Sequence, residues 1–318
     1  MAHAPVPLPV WARMMDLPLL RGDEDPASPW IAASSEPWPG EVAVYTSLDG
    51  ESWRFDSLLS RRAVMGTTLT DLDPATPGLW DRGPGLEVRL VSGALASLDD
   101  AAVFAGGNVA AIGAPGGGAH EVFQFRDAGL ISPDVWSLSM RLRGQRGTEA
   151  AMQPGWSAGS TLVVLDAAVR QISAPSELRD VPRWYRVGPA SRAVDHSSYV
   201  SFQHAATAVG LRPYSPVRLR AESDGAGGHV ATWLRRTRID GDNWGLPDVP
   251  LGETYEAYRV RVISGGITLR EETVHSQSWT YDAASRLADG SPATFDIEVA
   301  QISDLFGPGD TARIVINA

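Results

Sequence analysis

The sequence predicts an all-β protein with a Pro-rich N-terminal arm, a β-rich domain and a C-terminal β-sandwich. Short apolar runs are separated by Gly, Pro, Asp and Asn over most of the chain, several of these runs alternate apolar and polar residues, and long helical periodicity is absent. The chain has 318 residues, of which 43% are hydrophobic, so it is long enough for two domains with separate cores.

The arm is predicted over residues 1–40. Prolines remove backbone amide donors and bias the preceding residue toward extended backbone, which indicates a tether. The prolines of this segment are Pro5, Pro7, Pro9, Pro18, Pro26, Pro29, Pro37 and Pro39. Within it, the apolar stretch VWARMMDLPLL at residues 10–20 is expected to dock against this chain or another one.

The β-rich domain is predicted over residues 41–213. In VWSLSMRLR, residues 135–143, apolar residues alternate with Ser and Arg, which predicts a strand with Arg141 and Arg143 on its solvent face. SGALASLDDAAVFAGGN and TEAAM are the only helix candidates. The other clear strands are EVAVYTS, LEVRLVS, HEVFQF and TLVVLD.

The sandwich is predicted over residues 214–318, after a break marked by Pro213 and Pro216. Its strands are HVATWLRRTR, EAYRVRVIS, ITLREETV, QSWTYD, TFDIEVAQIS and TARIVIN. This part resembles a fibronectin type III domain, because Trp233 stands where that family has its strand B tryptophan and AYRVRV is similar to its strand C. Phe295 replaces the usual corner tyrosine, and His229 occupies an inward position where an aliphatic residue is expected.

Composition excludes several kinds of chemistry. The chain has no Cys, and its 27 basic residues are all Arg, so disulfides, thiolate ligands and lysine Schiff bases are excluded. A net charge of −11 argues against specific nucleic-acid binding. The six histidines have no metal-ligand spacing, and IDGDNWG departs from a calcium loop at Trp244. We therefore expect no cofactor, no metal site and no catalytic residue.

The segment RLRGQRGTEAAMQPGWSAGSTLVVLD, residues 141–166, most invites a chemical interpretation. Its G-x-S-x-G at Ser157 precedes a strand, whereas a nucleophile elbow follows a strand and starts a helix, so a Gly-rich connection is favoured. Thr148 can cap a short helix, and Arg143 and Arg146 beside that helix start could hold a carboxylate or sulfate. The alternative is that these arginines anchor the turn to backbone carbonyls.

The chain has eleven tryptophans, several of them in Pro- or Gly-rich loops. Exposed rings could form a sugar-binding platform, whereas buried loop anchors or subunit contacts are the alternative. Trp156 and Trp244, together with Arg143 and Arg146, are therefore the candidate surface-contact residues.

Several motifs in one order resemble the C-terminal portion of the large baseplate hub protein of gene transfer agents, often called the megatron, and related siphophage tail-tip proteins. They are PVWARMMDLPLLRGDE, PWPGEVAVYTS, LRGQRGTEAAM, WYRVGPASR, PYSPVRLRA and TWLRRTRIDGDNW followed by DVPLGETYEAYRVRV. The resemblance implies a virion protein of a phage tail tip or baseplate, made in the bacterial cytoplasm. It also implies a homotrimer that adjoins the hub and distal tail proteins. The long N-terminal part of that family has no counterpart here.

The resulting expectation is a non-enzymatic structural component of a phage-like tail tip that acts through protein–protein contacts. The alternative is a glycan- or receptor-binding module of a tail or cell-surface protein, which would bind a host polysaccharide or receptor during attachment. A hydrolase that uses Ser157 or a pair of carboxylates is the third hypothesis.

Overall fold

The computed structural model describes residues 9–241, 245 and 248–317, and it confirms the all-β class. The chain divides into two compact units between Gly210 and Leu211, three residues before the predicted boundary. Residues 21–23 belong to the second unit. The two units are described separately below.

In its described residues, the first unit contains fourteen strands and one short α-helix, α1 (Asp100–Phe104), with Asp99 as its N-cap. The strands are β1 (Trp11–Met15), β2 (Trp30–Ser34), β3 (Val42–Ser47), β4 (Arg54–Leu59), β5 (Met65–Thr68), β6 (Trp80–Asp81), β7 (Leu86–Leu90), β8 (Val109–Gly113), β9 (His120–Ser132), β10 (Val135–Gln145), β11 (Thr161–Val164), β12 (Arg170–Gln171), β13 (Pro182–Pro189) and β14 (Val200–Ala205).

Six of these strands close into an antiparallel barrel. The hydrogen-bonded order is β10-β7-β5-β11-β8-β9, and β9 also pairs with β10, which completes the ring, while β6 adds to the other side of β10. Inward-facing apolar side chains fill the interior, as expected for a small barrel. They include Leu86, Val88, Ile112, Phe123, Phe125, Leu138 and Leu162.

The N-terminal segment does not form the extended tether that its prolines predict. Its described part contributes β1 and β2 to a three-stranded sheet of order β1-β2-β12. Every residue of β2 is buried, because this sheet packs on both faces. Ile31 and Ala33 face the core shared with the β14-β13-β3-β4 sheet, whereas Trp30 and Ala32 face the outside of the barrel. The apolar stretch from Val10 therefore docks within this chain.

Strand β10 departs from the predicted alternation. Arg141 and Arg143, expected on a solvent face, are 1% and 0% exposed. Met140 has φ of 51°, in the left-handed region, and at this point the neighbour of β10 changes from β7 to β6. The alternation is reset at this residue, and both guanidinium groups point into the protein.

Over the part that the structure describes, the second unit is a sandwich of seven strands with one helix, α2 (Ala283–Ala288). One sheet has the order β15-β16-β19 and the other β18-β17-β20-β21, which confirms the fibronectin type III-like sandwich. Trp233 packs edge-on to Tyr258 in the shared core, and the ring of His229 packs edge-on to Phe295. The strands are β15 (Val217–Ser223), β16 (His229–Leu234), β17 (Tyr258–Ser264), β18 (Ile267–Val274), β19 (Ser278–Tyr281), β20 (Thr294–Ser303) and β21 (Gly307–Asn317).

Candidate functional site

The anion beside Arg143 is a carboxylate of this chain. Arg143 Nε and Nη2 donate to Glu121 Oε1 and Oε2 at 2.6 and 2.8 Å, and both side chains are fully buried. Trp156 Nε1 donates to Glu121 Oε2 at 2.7 Å, and the amide of Gly144 donates to Oε1 at 3.1 Å. The carboxylate is thus saturated with donors, as a buried charge requires.

Arg141 forms a second pair in the same region. Its Nε and Nη2 lie 2.9 and 2.8 Å from Asp81 Oδ2, and its Nη1 donates to the carbonyls of Pro84 and Leu138. Burial alone would raise the pKa of Asp81, but the amide of Gly83 and the arginine contacts outweigh it and hold that pKa below its ordinary value. Arg141 therefore binds groups of this chain through each of its nitrogens.

The predicted surface-contact residues separate in the structure. The prediction that Arg143 is a surface-contact residue is wrong, because its side chain is buried and binds Glu121. Arg146 is exposed, with φ of 57° in the turn after β10. Trp156 is half-buried, and its indole N–H is already used by Glu121. Trp244 lies outside the described residues.

The turn after β10 also differs from the predicted helix cap. Glu149–Met152 forms a 3₁₀ helix, and the Thr148 side chain makes no capping hydrogen bond to it. Instead, the buried Thr148 hydroxyl donates to the carbonyl of Gln145 and accepts from the amide of Val122. Ser157 is exposed and precedes β11, the order that the sequence indicates for a connecting loop.

A cleft in the first unit brings together side chains that are distant in sequence. Its floor is the open edge of β1, and its two walls come from the barrel and from β14, with a volume of about 290 Å³. The barrel contributes Ala111, the 114–117 loop, His120, Thr161 and Val163, and β14 contributes Val200, Phe202, Gln203 and His204.

Arg13 and His120 give the cleft its electrostatic character. Arg13 stacks on Trp11 at 5.5 Å, its buried Nε has no hydrogen-bond partner, and no carboxylate among the described residues lies within 4.0 Å of its guanidinium. Burial lowers the pKa of Arg13 from its ordinary value, and burial lowers the pKa of His120 to about 4. The cleft therefore holds a cation without its counterion beside a neutral imidazole.

His204 and Asp16 lie next to this cation. His204 Nε2 is 3.2 Å from Asp16 Oδ2, and Asp16 is 8% exposed. Sequence reasoning missed this cluster, because its members come from three distant segments and the histidines have no shared spacing. The available signal was the presence of Arg13 and Asp16 in an otherwise apolar stretch.

A second feature is an aromatic outer face on the β14-β13-β3-β4 sheet. Tyr45 and Phe55 face each other across β3 and β4, with ring centroids 5.7 Å apart, and Tyr199 lies 6.1 Å from Tyr45. Arg186, opposite Tyr45 on β13, stacks on Trp53 at 4.5 Å. Phe55 is 52% exposed, so this face presents aromatic rings and a guanidinium to solvent.

No group of three or more His, Asp or Glu side chains in residues 9–241, 245 and 248–317 is arranged to hold a metal ion. No helix in that part of the chain has the length and apolarity needed to cross a membrane.

These features define an all-β protein built from a closed barrel, a doubly packed small sheet and a fibronectin type III-like sandwich. A family model described as "Rcc01698-like, C-terminal" matches residues 63–163, the segment from just before β5 to β11 that contains the barrel strands. No curated protein sequence matches the chain.

The solved structures that are similar to this chain include the following three. "FN3tt mut" is 14% identical and covers 33% of this chain and 93% of that chain, with a TM-score of 0.23. The rat CD45 extracellular domains d3-d4 are 12% identical, and the match covers 48% of this chain and 72% of the CD45 chain, with a TM-score of 0.26. The chicken CNTN1 FN1-FN3 domains are 11% identical, and the match covers 98% of this chain and 99% of the CNTN1 chain, with a TM-score of 0.24. The sandwich is assigned from its own strand order.

Proposed function

We propose that the chain is a structural, non-enzymatic component of the tail tip or baseplate of a phage-like particle of the gene transfer agent kind. The match of residues 63–163 to the Rcc01698-like family, which is associated with a Rhodobacter gene transfer agent, is the observation that carries this proposal. The motif order described above supports the same placement. The chain acts through contacts with neighbouring tail proteins.

The buried arginine network supports a structural role for the barrel. Arg141 and Arg143, the residues best suited to bind an anionic substrate, are occupied by Asp81 and Glu121 of the same chain. The network joins β10 to β6, to β9 and to the backbone of Asp73 and Pro84, so these charged groups hold the barrel together and are not available to a ligand.

The test is co-assembly with the hub and distal tail proteins. The purified chain, alone and mixed with both proteins, is analysed by size-exclusion chromatography with light scattering. The proposal predicts a complex of fixed stoichiometry in which this chain is present in three copies. A chain that stays monomeric at high concentration and elutes apart from both proteins contradicts it.

The aromatic outer face favours a second candidate function, recognition of a host cell-envelope polysaccharide. Aromatic rings and a guanidinium on one sheet face can stack on sugar rings and pair with acidic groups. The test is affinity electrophoresis in gels that contain host envelope polysaccharide. Retardation that is lost in Phe55→Ala, and kept in the matched control Phe104→Ala on α1, supports this function, whereas equal mobility with and without polysaccharide excludes it.

A further inference from the structure

We propose that the cleft beside β1 binds an extended acidic segment of a partner protein, which adds a strand to the open edge of β1 and pairs a carboxylate with Arg13. This inference deepens the proposed structural function by naming one contact site and its chemistry.

The first argument is the pair of open strand edges that line the cleft. β1 ends the three-stranded sheet and β14 ends the four-stranded sheet, so each pairs on one side alone among the described strands. Open edges present unpaired backbone N–H and C=O groups, which proteins normally cover or protect. Here β1 lies between the barrel and β14, and an added strand would extend the three-stranded β1-β2-β12 sheet at its β1 edge.

The second argument is charge complementarity. Arg13 lies on the floor of the cleft, where its buried Nε has no hydrogen-bond partner, whereas Arg141 and Arg143 each pair with a carboxylate. A buried N–H donor without a partner is costly, and an incoming carboxylate would accept from this Nε and remove that cost. His204 Nε2 lies 3.2 Å from Asp16 Oδ2, and Arg13 is the arginine of the cleft lining, so Arg13 is the group that would pair with an incoming carboxylate.

The third argument is the composition of the walls. Val200 and Phe202 of β14 and Ala111 and Val163 of the barrel line the cleft with apolar surface. A strand alternates its side chains between two faces, so an added strand would place successive side chains against these two apolar walls. An extended acidic peptide with apolar side chains would pack against the walls, hydrogen-bond to the edge of β1 and pair with Arg13, whereas a small organic anion would contact the guanidinium alone.

His120 adds selectivity to the site. Its Nδ1 is buried without a hydrogen-bond partner, and the imidazole stays neutral at pH 7 because burial lowers its pKa to about 4. A neutral imidazole adds no second positive charge, so the cleft suits one carboxylate on the bound segment.

The experiment is a selection of random dodecapeptides displayed on a surface against the full chain, followed by synthesis of the strongest binder. We expect enriched peptides with alternating apolar residues and one Asp or Glu. The synthetic peptide should bind Arg13→Gln roughly tenfold more weakly than the parent chain, and it should bind the exposed-arginine control Arg146→Gln as tightly as the parent. Amide hydrogen exchange in residues 11–15 should slow on binding.

Each alternative result overturns the proposal. Enriched peptides without an acidic residue, equal binding to Arg13→Gln, or unchanged exchange in β1 would each exclude an added strand. Benzoate serves as a small-anion probe: if benzoate binds in an Arg13-dependent manner and no peptide does, the cleft is a small-molecule site. Arg13→Gln loses the stacking of Arg13 on Trp11 but no ion pair among the described residues, so the variant should remain folded. The measurement uses the isolated chain, so its failure is independent of co-assembly with tail proteins.

Discussion

Arg143 and Glu121 form a bidentate ion pair in which both side chains are fully buried, with N–O distances of 2.6 and 2.8 Å. The sequence left two alternatives for Arg143, a bound anion or an anchor for the turn, and in the structure Arg143 pairs with Glu121 of β9, 22 residues earlier, and donates to the carbonyl of Asp73. A buried pair of this kind is weak evidence for added stability, but removing one partner leaves an uncompensated charge in the core.

The first prediction follows from this pair. Arg143→Met leaves Glu121 buried without its main donor, so the free energy of unfolding should fall by about 3–5 kcal/mol. Guanidinium denaturation followed by tryptophan fluorescence measures it. The matched control Arg146→Met removes an exposed arginine three residues away and should change stability by less than about 0.5 kcal/mol. Equal stabilities of the two variants would refute the structural role of the network.

The second prediction concerns the N-terminal segment. Ile31 is fully buried in the three-stranded β1-β2-β12 sheet, so Ile31→Ala should reduce the free energy of unfolding by about 2–5 kcal/mol. Leu130, which is 60% exposed at the end of β9, provides a control, and Leu130→Ala should change stability by less than about 0.5 kcal/mol. An Ile31→Ala protein as stable as the parent would restore the interpretation of this segment as a tether.

The third prediction concerns pH. Because burial lowers the pKa of His120 to about 4 while the unfolded value is near 6.5, acid protonates the unfolded chain first. The contribution of His120 is complete above pH 6.5 and is lost as the pH falls toward 4, by about 2 kcal/mol at pH 5. Urea denaturation at pH 8 and pH 5 should show this loss in the parent chain.

His120→Gln supplies the control for the pH effect, since it cannot titrate. The stability difference between pH 8 and pH 5 should shrink by about 2 kcal/mol in this variant. An NMR titration that finds the His120 pKa near 6.5 would contradict the burial of this ring in the cleft wall.

The fourth prediction concerns the second unit. Tyr281 is fully buried, and its hydroxyl donates to Asp289 Oδ2 at 2.9 Å. Tyr281→Phe should reduce the stability of this unit by about 1–2 kcal/mol, because Asp289 keeps its pair with Arg270 and loses only one donor. Thermal unfolding measures it, and Tyr255→Phe, at a side chain that is 45% exposed, should leave the midpoint unchanged.

Much of the fold follows from period-two patterning. The predicted strand EVAVYTS is β3, LEVRLVS contains β7, and TFDIEVAQIS is β20 with the same bounds. These segments alternate or are uniformly apolar between turn residues, so local sequence alone specifies them. The short helix α1 likewise lies inside the predicted helical stretch.

The arm was predicted wrongly because its prolines bracket strands and do not interrupt them. Pro9 precedes β1 and Pro18 follows it, while Pro29 directly precedes β2. Each strand itself is free of proline, and its amides remain available for the sheet. That β2 is covered on both faces depends on the barrel and on the four-stranded sheet, which local sequence does not reveal.

The buried arginine pairs and the cleft residues were harder to predict from the sequence than the strands. Arg141 and Arg143 turn inward because Met140 adopts a left-handed conformation, which is unusual for this residue type and leaves no sequence signal. Arg13, His120 and His204 meet only through the tertiary fold, since they are about a hundred residues apart in sequence. Spacing rules detect ligands on one element and miss such clusters.

Cryo-electron microscopy of the intact particle tests the central claim most directly. The account predicts density at the tail tip that fits the closed barrel and the sandwich, in three copies around the tail axis, with an extended segment of a neighbouring protein along β1. Particles that contain this chain elsewhere, or particles whose tips are complete when the chain is deleted, would contradict it.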